Sequence, residues 1–142
     1  MANEGQVQGA RKKQAQGAKR ATLDILKNKK RATQEFSLYL RDGSDSTEVT
    51  MKFQAIGAQA YDKLVEKHPP NAQQRVDGAS YNLDTFAPAL IAACSVEPEL
   101  TPADAKEIWE SEDWSRGDLM VLFRNAVELN NRGIDIPFSE NG

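Results

Sequence analysis

Few residues of this 142-residue chain have the types and spacing that catalysis demands. The single histidine, His68, stands beside Pro69 and Pro70 at the end of a helical pattern. There an imidazole caps or packs rather than acting as a general base. A zinc site needs Cys, His or carboxylate ligands at recognisable spacing, and no second thiol or imidazole accompanies Cys94 and His68. Glu107, Glu110, Glu112 and Asp113 are plentiful carboxylates, but they follow one another in the manner of a solvated helix end. Gly5, Gly9 and Gly17 lie in a polar tail and form no phosphate loop. Arg116-Gly117-Asp118 spells the tripeptide of some adhesion ligands, yet it falls in the first turn of a helix that Ser115 caps, which makes it structural. No catalytic, cofactor-binding or metal residues are expected. The chain reads as a binding protein and not as an enzyme.

The totals narrow the class further. The length suits one domain with a modest core. No apolar N-terminal stretch suggests a signal peptide, and no segment is apolar for the roughly 20 residues a membrane span needs. A lone cysteine excludes an internal disulfide and leaves the cytoplasm as the default compartment. The net charge of −3 hides an asymmetry. Residues 1–33 carry nine Lys/Arg against Glu4 and Asp24, a net +7, and the remainder carries nine against nineteen Asp/Glu, a net −10. A basic arm is therefore joined to an acidic domain. Residues 1–21 hold no large apolar side chain except Val7, so they read as a disordered basic tail. A nucleic-acid arm (Arg11, Lys12, Lys13, Lys19, Arg20) is the sharper alternative. It lacks aromatic residues among the charges to stack on bases.

The elements follow from period and punctuation. A short helix over 22–31 is capped by Thr22, with Lys27, Lys29, Lys30 and Arg31 at its negative end. From Glu35 the apolar period becomes two. Phe36, Leu38 and Leu40 precede a turn at 42–46, and Val49, Met51, Phe53 and Ala55 follow it, a β-hairpin with one apolar face. A helix over 58–67 stops at the proline pair, and 71–80 reads as loop. The next three helices form the core. The central one spans 86–94, with Thr85 as cap and Pro88 in its first turn, and it is apolar all round. It is the expected cover for the hairpin. The second starts at Thr101-Pro102 and runs to about Glu110. The third starts at Ser115, carries Leu119, Leu122, Phe123, Ala126 and Val127 on one stripe, and closes at Arg132-Gly133. Residues 134–142 are a tether fading into a flexible C-terminus from about 138. The expected fold is α+β and mainly α: a hairpin packed on a bundle of about four to five helices, in one domain over 22–137.

Several stretches in combination carry a family resemblance. They are 51–64 (MKFQAIGAQAYDKL), His68-Pro69-Pro70, 81–94 (YNLDTFAPALIAAC), 107–111 (EIWES), 114–120 (WSRGDLM) and 131–137 (NRGIDIP). Taken in order, the chain resembles a tail assembly chaperone of long-tailed actinobacterial phages over roughly residues 22–137. The resemblance implies a non-enzymatic late protein of the host cytoplasm. It would bind the long helical tape measure protein and keep it soluble until tube subunits surround it, and it would be missing from the finished virion. It also implies a longer product made by ribosomal frameshifting. The tail tube protein, that longer form and further copies of the chain are other expected partners; nucleic acid and membrane are not. A tape measure protein exposes amphipathic helices, and an apolar groove with an acidic rim would mask them. Trp109, Trp114, Leu119, Met120 and Phe123 are the expected partner-binding residues, with core packing as the competing reading of all five. A structural component of the virion and a nucleic-acid-binding regulator are the alternatives.

Overall fold

The computed structural model of the chain describes residues 17–132. Within them lie six helices and one three-stranded antiparallel sheet, an α+β protein. In chain order they are α1 (Leu23–Lys27), β1 (Thr33–Asp42), β2 (Asp45–Gln54), α2 (Ala58–Glu66), α3 (Ala72–Val76), α4 (Leu83–Cys94), β3 (Ser95–Glu97), α5 (Pro102–Glu110) and α6 (Arg116–Asn130). Contacts divide the chain between Lys30 and Arg31, which leaves α1 outside the larger unit. Residues 1–16 of the expected tail, Gly133 and the expected tether over 134–142 lie outside the described residues.

In the first unit, Thr22 caps α1 as expected, its hydroxyl accepting from the Ile25 N–H at 3.2 Å. The helix ends four residues short of Arg31. The Asn28 side-chain amide donates to the Asp24 carbonyl at 2.8 Å and competes with further turns. Leu23, Ile25 and Leu26 stay half to two-thirds exposed.

In the second unit, β1 and β2 pair in unbroken register from Thr33↔Gln54 to Asp42↔Asp45. Gly43 and Ser44 make the connection. Gly43 takes φ +64° while Ser44 stays negative, the II′ pattern that matches strand twist and needs glycine first. Phe36, Leu38, Val49, Met51 and Phe53 share one face, and Ser37, Tyr39, Thr50 and Lys52 the other. The short β3, not anticipated, adds to β2 at Phe53↔Ser95 and turns the hairpin into a three-stranded sheet. Three residues are too few to display alternation.

Three helix expectations need correction. The loop expected over 71–80 contains α3, because Asn71 and Gln74 close a full capping box, each side chain bonding the other's backbone N–H at 2.8 Å. The central helix starts at Leu83, not Phe86. Asn82 is its cap, accepting from the Asp84 N–H at 3.0 Å, while the Thr85 hydroxyl donates back to the Asn82 carbonyl. Pro88 is therefore the sixth helical residue, and the Asp84 carbonyl has no N–H to receive. The helix lying against both β1 and β2 is α6, not α4. An all-apolar helix needs neighbours on every side, and α4 is enclosed by α2, α5 and α6. Phe86 is the centre of that packing, with ring centroids of Tyr81, Tyr61, Phe123 and His68 at 4.5, 5.8, 6.0 and 6.2 Å.

Candidate partner-binding groove

The five expected partner residues do not form one surface. Trp109, Leu119 and Phe123 are only 6, 3 and 5 % exposed and belong to the core, as the competing reading had it. Leu119 and Phe123 occupy one stripe of α6, and the Trp109 ring stands edge-on to Phe123 at 6.5 Å. The Arg116 guanidinium closes over the outer face of Trp109, 5.2 Å from its centroid. That is the structural use of the Arg-Gly-Asp run, which begins α6 behind the Ser115 cap. Met120 and Trp114 are half-buried and open onto different depressions. Met120 borders one with Tyr81, Leu83 and the edge of Phe123. Burial and neighbouring Tyr61 hold the Tyr81 phenol above its ordinary range.

Trp114 borders the more promising feature. An apolar groove of about 230 Å³ runs between the apolar face of the hairpin and the α5–α6 corner. Leu38 and Leu40 come from β1, Val49 and Met51 from β2; Leu100, Ile108 and Trp114 face them. Local chemistry sets each wall. Thr101 and Asp104 form a reciprocal capping box at 3.0 Å in both directions, which starts α5 directly after Leu100. At the other end, the Ser111 hydroxyl accepts from the Asp113 N–H at 3.1 Å. The Ser115 hydroxyl accepts from the Asp118 N–H, also at 3.1 Å. Trp114 is thus held in a short connection between two fixed turns.

The groove continues past Leu100, Ile108 and Trp114 into a second depression of about 370 Å³, to which Asp104, Glu107 and Ser111 contribute. The Thr101 N–H and then its hydroxyl hold the Asp104 carboxyl below its ordinary range, which favours its charged form. An apolar trough opening onto carboxylates suits a row of apolar side chains flanked by Lys or Arg, the pattern of a basic amphipathic helix. The hairpin's share in it was missed by sequence reasoning. The signal was Leu40 and Val49, apolar residues of the ribbon that are only partly buried against the core.

The remaining chemical candidates have structural roles. His68 packs against Phe86, and its carbonyl accepts the Asn82 N–H at 2.8 Å. Cys94 is fully buried, as its place on the apolar helix suggested, and burial pushes its thiol up although the Asn130 amide donates to Sγ at 3.3 Å. Among the described residues, no three His, Cys, Asp or Glu stand together to hold a metal ion, and no helix is long and apolar enough to cross a membrane. Compared with protein-family models, curated proteins and solved structures, the chain matches none.

Proposed function

We propose that the chain is a phage tail assembly chaperone that binds amphipathic helices of the tape measure protein and keeps them soluble until the tube forms. The observation that supports this reading is the apolar groove between the hairpin and the α5–α6 corner, with carboxylates at its open end. The ordered resemblance over residues 22–137 supplies the partner's identity. Burying each apolar side chain contributes about 1.5–3 kcal/mol, so three or four would give a complex that polymerising tube subunits can displace. Trp114, of the five residues first singled out, is the one that contacts the partner here; Ile108, Leu100 and Leu40 join it.

Co-expression of the chain with a tape measure protein from the same genome tests the reading. Wild-type chain should hold that protein in the soluble fraction and co-purify with it. Ile108→Asp should lose both effects while keeping the wild-type circular dichroism. Mass spectrometry of finished particles should find the chain missing or scarce. An insoluble partner with wild-type chain, or the chain in virions at stoichiometric amounts, contradicts the proposal and favours a structural tail component.

A further inference from the structure

The outer edge of β1 is ten residues long, and no described residue pairs with its backbone. A two-residue hairpin closes on a hydrogen-bonded pair, here Asp42↔Asp45, and such pairs then recur at every second residue. The Ala55 N–H bond to the Ala32 carbonyl, 2.8 Å, continues that parity at the other end. Even-numbered residues of β1 therefore bond to β2. The N–H and C=O groups of Thr33, Glu35, Ser37, Tyr39 and Arg41 point away from the sheet. Of the usual edge protections, it carries only the charges of Glu35, Arg41 and Asp42. It has no Pro, no Lys and no register shift.

Its sequence is self-complementary. Antiparallel pairing of two copies about Leu38 sets Glu35 against Arg41 twice, Phe36 against Leu40 twice, Ser37 against Tyr39 twice and Leu38 against itself. This register brings only outward-pointing residues into hydrogen-bonded pairs. Moving the centre to Ser37 or Tyr39 preserves that parity but loses both charge pairs, and sets Glu35 against Tyr39 or Gly43. We propose that the chain forms a two-fold dimer through β1, in antiparallel register centred on Leu38, making one continuous six-stranded sheet. A two-fold axis normal to the sheet keeps the apolar faces of both copies on the same side. Leu40 of each copy then lies beside Phe36 of the other, and the two apolar faces become one surface. The inference rests on strand geometry and stands apart from the identity of any partner.

Sedimentation equilibrium of the full chain tests it. The wild type should be a dimer. Glu35→Arg alone, or Arg41→Glu alone, sets like charges opposite at two places and should weaken dimerisation at least about tenfold. Mixing the two single variants should restore a one-to-one heterodimer, because each Arg then meets a Glu. The double swap Glu35→Arg/Arg41→Glu should dimerise like wild type. Both side chains, Glu35 and Arg41, are exposed in the monomer, so circular dichroism should be unchanged throughout. A monomeric wild type overturns the proposal. So does a dimer that tolerates both single swaps, or one that mixing does not rescue.

Discussion

One side chain joins three elements that are far apart in sequence. Asn130, near the end of α6, accepts the Ile56 N–H at 2.8 Å as the chain leaves β2. Its amide donates to the Ala126 carbonyl at 2.7 Å and to Cys94 Sγ at 3.3 Å. Asn130→Ala leaves the Ile56 N–H and the thiol without these partners in a half-buried site, and should cost about 1–3 kcal/mol in urea unfolding with an unchanged m-value. Cys94 has its own signature. Both states keep the thiol neutral below the ordinary thiol range of about 8.5. As pH rises past it, the unfolded chain releases the proton while the folded chain, with its raised thiol, retains it. Stability should therefore fall with rising pH up to the folded value, by at most about 1.4 kcal/mol per pH unit. Cys94→Ala should flatten this part of the pH profile. The burial of Cys94 was legible from its apolar helix. The role of Asn130 was not, because an asparagine in a last turn reads as a local cap until its distant partners are known.

Elements with their own punctuation were the legible ones. Thr101-Pro102 and Ser115 start helices where their side chains said they would, and the alternation from Phe36 to Phe53 is a hairpin around Gly43. Errors arose where two signals competed. Thr85 and Asn82 can both cap, and the earlier one prevails because its side chain reaches the Asp84 N–H, which makes Pro88 interior. The polar stretch after Pro70 hid α3, although Asn71 and Gln74 have capping-box spacing. Which helix covers the hairpin is a tertiary matter that period alone does not contain. The two faces of the ribbon should respond differently to truncation. Phe53 is fully buried and stands edge-on to Phe36 at 4.7 Å, so Phe53→Ala should cost about 3–5 kcal/mol. Tyr39 is 58 % exposed on the polar face, and Tyr39→Ala should change stability by no more than about 0.5 kcal/mol. Equal losses by thermal or urea unfolding would mean that the apolar face is not the packed one.

At the scale of the molecule, charge separation was readable from composition: a basic leading segment and an acidic domain. The groove was not, because Leu40 and Val49 meet Ile108 and Trp114 across some sixty residues of chain. An apolar residue at helical or strand period is as suited to a core as to an open trough, and only the fold divides them. It places Trp109, Leu119 and Phe123 inside, and leaves Trp114 and Met120 at two separate openings. The central claim is that the opening at Trp114 receives an amphipathic helix of the tape measure protein. Site-specific photocrosslinking tests it most directly, with a photoreactive amino acid placed at Ile108 in one variant and at Met120 in another, each co-expressed with that protein. The proposed groove predicts a crosslinked product from Ile108 and none from Met120. Crosslinking from Met120 alone, or from neither position while the two proteins still co-purify, would contradict it.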